Sequence, residues 1–190
     1  MGLDMYLSCN SKRLTQEVFD VEVAAGLEPA DSFHRAHGII CYWRKANAIH
    51  RWFVEHVQDG RDDCGLYGVT ADQLGELLDT CRKVRESCDL VPGTVSAGLA
   101  FTPESGLVRQ KADGLVIADA SRAVELLPTQ EGFFFGSTDY DEGYVADLDR
   151  TILVLGETLS RLVEESVFPW TTHHASEPDW DVRFTYQSSW

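Results

Sequence analysis

Apolar residues recur at helical spacing in three places along the chain. Ala46, Ile49, Phe53 and Val57 form one stripe and predict an amphipathic helix from Trp43 to Val57. Leu74, Leu77, Leu78, Cys81 and Val84 form a second, predicting a helix that runs to about Glu86. Thr70 and Gln73 stand at its start in capping-box relation, with the hydroxyl and the amide each satisfying a free backbone N–H of the first turn. Val145, Leu148, Ile152, Leu155, Leu159 and Leu162 predict a long third helix. It begins near Tyr140, takes a cap from Ser137, Thr138 or Asp139, and closes at Phe168-Pro169.

Between these stripes the pattern changes. Phe19, Val21 and Val23 alternate with Asp20 and Glu22, which predicts a half-buried strand from Glu17 to Ala24. Short strands are expected at Gly2 to Leu7, Gly38 to Tyr42, Cys64 to Val69, Leu115 to Ala118 and Val182 to Tyr186. Gly132-Phe133-Phe134-Phe135-Gly136 places aromatics on both sides and predicts a strand in the sheet interior. Gly26 to Ala36 reads as a loop, and Ser121 to Leu127 as a short helix ended by Pro128. Cys88 to Asp113 is rich in Gly, Pro, Ser and Thr and predicts a small hairpin turning at Pro103-Glu104-Ser105-Gly106. Strands mixed with helices, without a regular βαβ rhythm, define an α+β class. The expected architecture is a mostly antiparallel sheet with about three main helices packed on one face. The 190 residues suffice for one domain, 1–190, with its own core.

Composition supports a globular chain, with 44% apolar and 25% charged residues. Charge adds more. The net charge is −15, of which residues 112–190 carry −11. Such a surface repels phosphate backbones and anionic lipid, so no direct nucleic-acid or membrane partner is expected. A protein partner with a basic surface would be attracted. The five cysteines form no C-x-x-C pair, and an odd count without an export signal predicts reduced thiols in a cytosol. His34 with His37, and His173 with His174, lack a second half-site, so neither a metal nor another cofactor is expected.

Two segments carry candidate chemistry. Tyr42 to Trp52 gathers aromatics, cations, an amide and an imidazole, and on a helix Trp43, Asn47 and His50 would share one side. Arg44 and Lys45 would hold an anionic group, and His50 would move a proton near neutral pH. The bland alternative makes Arg44 and Lys45 surface charges and ties Asn47 and His50 to neighbouring loops. The second segment is Gly136-Ser137-Thr138-Asp139, where backbone N–H groups before a helix can hold an anion. Here Asp139, Asp141 and Glu142 oppose one, and simple capping is the plainer reading. If a cation sits there instead, Asp139 and Asp141 would hold it. His50 and Asp139 are the catalytic candidates; Trp43, Arg44, Lys45, Asn47, Ser137 and Thr138 are the ligand-binding ones. No Gly-x-Ser-x-Gly, His-Glu-x-x-His or Gly-x-Gly-x-x-Gly pattern occurs, which weighs against an enzyme.

Met1 to Leu7, Tyr42-Trp43-Arg44-Lys45-Ala46-Asn47 with Ile49-His50 and Trp52-Phe53-Val54, Leu127-Pro128-Thr129, Gly132 to Asp141, and the closing Tyr186-Gln187-Ser188-Ser189-Trp190 together resemble a family of small uncharacterised bacteriophage and prophage proteins. The resemblance spans the chain, with residues 8–38 and 88–113 as variable loops or hairpins. It implies expression in the host cytosol and carries no catalytic residues across. Together with the acidic second half, it leads to a first expectation: a non-catalytic protein that engages a host or phage macromolecule in host takeover or defence evasion. The rival is a small enzyme or sensor for an anionic ligand, using Arg44, Lys45, His50 and Asp139. That rival requires the 42–52 segment and the loop after the three phenylalanines to meet in one pocket.

Overall fold

The fold is that of a computed structural model, which describes residues 2–27, 32–102, 106–167 and 182–190. The expected turn at Pro103-Glu104-Ser105, the Phe168-Pro169 helix end, the His173-His174 pair, Trp170 and Trp180 lie outside the described residues. Strand β1 (Asp4–Cys9) lies between β2 (Ile39–Arg44) and β6 (Phe184–Ser189), and β3 (Tyr67–Val69) joins the far side of β6. Every pairing in this four-stranded sheet is antiparallel, so the chain is α+β as its pattern predicts.

Register explains which face is the core. Met5 pairs with Trp43 and Ser188, and Leu7 with Cys41 and Tyr186. Because side chains alternate across a strand, these residues all project to one side, and all of them are buried. Two helices cover that face: α3 (Asn47–His56) and α6 (Glu142–Val167). Phe53 of α3 stacks on Tyr186 at 3.9 Å, and Thr151 of α6 accepts a 2.9 Å hydrogen bond from the Trp43 indole. Helix α4 (Ala71–Arg85) packs on α6 with the apolar stripe read from the sequence. Its Thr70–Gln73 capping box forms in both directions. The opposite sheet face is aromatic. Tyr6 and Tyr42 pair across the strands there, and His34 of α2 (Ser32–Ala36) stacks on Tyr42 at 5.1 Å.

Three expectations need correction. Residues 17–24 are not a strand but part of α1 (Lys12–Ala24). The helical stripe Leu14, Val18 and Glu22 is the buried one, while Val23 of the alternating set is 51% exposed. Ser11 caps the helix by accepting from Leu14 N, and the described residues of the 8–38 stretch are mostly helical, not loop or hairpin. Trp43 and Arg44 end β2 instead of opening α3. Lys45 turns the chain with φ 61°, and Asn47 begins the helix. Finally, 132–136 is a turn, with Phe135 N bonded to Gly132 O and Gly136 at φ 89°. Two glycines at its ends let five residues fold back instead of extending.

The 88–113 stretch forms most of a long hairpin, β4 (Leu90–Thr102) with β5 (Gly106–Ile117), which is a sheet of its own. Its base is tied down where Ile117 N meets Tyr140 O and Val116 bridges to Asp141. The short α5 (Ser121–Leu126) follows. No helix among the described residues is long and apolar enough to cross a membrane.

Gly38 gives a direct test of the sheet entry. It has φ +74°, its carbonyl accepts from Cys9 N at 2.8 Å, and an added Cβ would collide with the Cys9 carbonyl oxygen. Gly38→Ala should destabilise the fold by about 1–3 kcal/mol, measured by urea unfolding. An unchanged midpoint would show that β1 and β2 tolerate separation there.

Candidate functional site

The turn at Lys45 and the loop from 129 to 139 are far apart in sequence and meet in space. Leu3, Asn47 and Gly136 bring them together. Lys45 N donates to Leu3 O at 2.8 Å, and Leu3 N donates to Phe134 O at 3.0 Å, so the chain just before β1 joins both segments. The buried Asn47 amide does more. Its Nδ2 donates to Phe135 O at 3.0 Å and Ser137 O at 2.7 Å, and its Oδ1 accepts from Gln130 N at 3.0 Å. Only one orientation of the amide satisfies two carbonyls and an N–H, so the amide is fixed as well as the loop. Gly136 closes against Lys45: a Cβ there would lie 3.0 Å from the Lys45 Cβ.

These contacts frame an open cleft of about 890 Å³. Arg44 and Lys45 line one part of it; both are exposed, and neither makes an ion pair among the described residues. Ser137, Thr138 and Asp139 also line it, as do Asp141 and Asp147. Asp141 is the helix cap: its Oδ1 accepts from Tyr144 N at 3.0 Å. Ser137, Thr138 and Asp139 were the expected caps, and they lie too far ahead of Glu142 to serve. Instead Ser137 Oγ accepts from Asp139 N, and Asp139 Oδ2 accepts from Ser96 N of β4 at 2.6 Å, joining the loop to the hairpin.

Asp147 was not singled out by the sequence reading. It sits one turn after the buried Tyr144 and one turn before the buried Thr151, and is itself half-buried. Burial pushes its pKa up to about 7; Arg150 pulls the other way and Asp141 adds to the rise. An acid at helical spacing between buried residues was the visible signal for it.

His50 and Trp43 lie elsewhere. Trp43 is core, 1% exposed, with its indole on Thr151. His50 is fully buried, and its ring does not reach the cleft. Its Nδ1 is 2.8 Å from the Tyr186 hydroxyl, and Phe135 meets the ring edge-on. Its Nε2 lies 3.1 Å from Asp62 Oδ2, close enough for charge to be felt but not aligned as a hydrogen bond. The other Asp62 oxygen accepts from the Trp190 indole at 3.1 Å. Burial lowers the His50 pKa by more than Asp62 raises it, so the imidazole is held neutral. Trp43, Asn47 and His50 share no ligand-facing side, because Trp43 belongs to a strand. Of the candidates, Arg44, Lys45, Asn47, Ser137, Thr138 and Asp139 come together and Trp43 and His50 do not.

No cysteine lines the cleft, and burial raises the Cys41, Cys81 and Cys88 pKa values. Among the described residues no group of three or more His, Cys, Asp or Glu is arranged to hold a metal ion. The chain matches no family model, no curated protein and no solved structure.

Two variants probe this arrangement. Asn47→Ala strips three backbone groups of their partner and should cost about 2–4 kcal/mol in urea unfolding; a loss below about 0.5 kcal/mol would mean the loop is held by other contacts. His50 reports through pH. Its folded pKa is below the unfolded value of 6.5, so the unfolded chain binds more protons in the window below 6.5. Its neutral form is therefore accommodated above that window, and stability is lost as pH falls through it. The stability gap between the wild type and His50→Gln should shrink between pH 7.5 and 5; a constant gap would refute the buried neutral imidazole.

Proposed function

We propose that this chain binds a small anionic ligand in the cleft, with Arg44 and Lys45 as the charge-bearing contacts. The observation that carries the reading is the pairing state of these two residues. In a chain of net charge −15, carboxylates are abundant, yet both cations line a cleft without an ion pair among the described residues. Arg presents a planar fork of donors and Lys a mobile ammonium, which together suit a phosphate or carboxylate. Asn47 is a positioning residue for the loop opposite. Ser137 and Thr138 add hydroxyls at the cleft. His50 has no part in this version, being sealed in the core. The role is binding or sensing, consistent with a bacteriophage-type protein acting in the host cytosol.

Binding of a macromolecule is a second reading, favoured by the hairpin. Phe101 on β4 is 74% exposed, and Val91, Val108 and Leu115 are partly open on the same two strands. In that version the acidic second half, with a balance of −11, draws in a partner of basic surface. Its mark would be a complex from bacterial lysate that is lost between 50 and 500 mM salt.

The anion reading is tested by calorimetric titration with ribose 5-phosphate and inorganic phosphate. Replacing Arg44 and Lys45 together by Ala should weaken binding about tenfold or more without lowering the melting temperature. No heat from either probe with wild-type protein would reject the reading. pH supplies a signed check. Asp147, with a pKa of about 7, loses its charge as pH falls through that value, and repulsion of an anion in the cleft falls with it. The ratio of wild-type to Asp147→Asn affinity, in which the probe's own phosphate titration cancels, should therefore rise from pH 8 to pH 6, with Asp147→Asn binding more tightly at pH 8; a ratio that stays constant would exclude Asp147 as the cause.

A further inference from the structure

Phe133 is the most exposed large apolar side chain among the described residues, 85% open, and it lines the same cleft as Arg44 and Lys45. A phenyl ring so open to water is normally free to move with its loop. This one is mounted on a fixed turn. Phe134 O is held by Leu3 N, Phe135 O by Asn47, and Phe135 N by Gly132 O. The neighbouring Phe134 ring meets it edge-on at 5.0 Å.

Glu131, two residues earlier, also lines the cleft, is exposed, and makes no ion pair among the described residues. A carboxylate there repels an anion and attracts N–H donors. The cleft therefore combines two cations without an ion pair among the described residues, an exposed aromatic ring on a turn held by backbone hydrogen bonds, and an exposed carboxylate two residues away in the chain.

Resting on the anion reading above, we propose that the ligand is a nucleotide: its phosphate accepts from Arg44 and Lys45, its base stacks on Phe133, and an N–H edge of the base donates to Glu131. Stacking of a planar base on an aromatic side chain is tolerant of base identity, and the N–H edge gives preference to bases that carry donors. The cleft of about 890 Å³ has room for one such molecule. A monomer is favoured over a nucleic-acid strand, because the rest of a strand would have to follow a surface of net charge −15.

The test is isothermal titration of the full chain at low salt with ribose 5-phosphate, guanosine, the four ribonucleoside monophosphates and a single-stranded oligonucleotide. At least one monophosphate should bind about tenfold or more tightly than ribose 5-phosphate. Phe133→Ala should remove that excess and leave ribose 5-phosphate affinity unchanged, while Phe133→Trp keeps it. Because the side chain is exposed, both variants should melt with the wild type. Equal affinity for ribose 5-phosphate and every monophosphate would overturn the nucleotide assignment and leave the anion reading standing. No binding of any phosphate-bearing probe would overturn both. An oligonucleotide that outcompetes all the monophosphates would overturn the assignment in favour of a nucleic-acid end.

Discussion

The side-chain amide of Asn47 is the constraint on which the site depends. The 129–139 loop belongs to no sheet, so its backbone groups need partners from outside. One buried side chain supplies three of them, from the first residue of α3. Leu3 supplies another from the chain leading into the central strand. The cleft is therefore framed by the core of the molecule and not by loops leaning on one another. Its cations, its hydroxyls and its exposed phenyl ring all sit on backbone fixed by these few bonds, which is the kind of pre-organisation that binding rewards.

Charge is distributed to match. Where a carboxylate meets a cation inside the fold, the pair is closed: Glu22 is 2% exposed and lies 3.2 Å from Arg150 on α6. Arg44 and Lys45 have no such closure among the described residues. Of the cleft's acids, Glu131 stays open to solvent, and the three aspartates are each occupied or muted in a different way. Asp139 receives the backbone N–H of Ser96, Asp141 caps α6, and Asp147 is pushed toward its neutral form by burial. His50 is neutral for the same reason, but in the core, between Tyr186 and Asp62. One physical effect, removal of charge from water, thus operates in two separate places, one open to ligands and one sealed.

Much of the fold was legible along the chain. The α4 stripe and its capping box appear as read, because both ends of that argument are local. The apolar stripe of α6 holds for the same reason. The errors came where local signals competed. Phe19, Val21 and Val23 alternate over a few residues, yet Leu14, Val18 and Glu22 continue a helical face from a Ser11 cap, and burial went with the longer pattern. At Trp43 the helix pattern ran backwards into a strand, because nothing local records that Trp43 faces Met5 across the sheet. The three phenylalanines look like a strand until the two flanking glycines are given positive or folded conformations.

The sequence by itself determined the α+β class, the three main helical faces, the acidic balance of the second half, and the residue types present at Arg44-Lys45 and Ser137-Thr138-Asp139. Helical faces follow from a period of a few residues, and net charge follows from counting, so neither needs distant contacts. Tertiary structure alone decided that those two segments share a cleft, that His50 is sealed away from it, and that Asp147 enters it. Each of these rests on pairs far apart in the chain, such as Asn47 with Ser137 and His50 with Tyr186. Burial, and with it the charge state of Asp147 and His50, exists only once those distant segments have closed on one another.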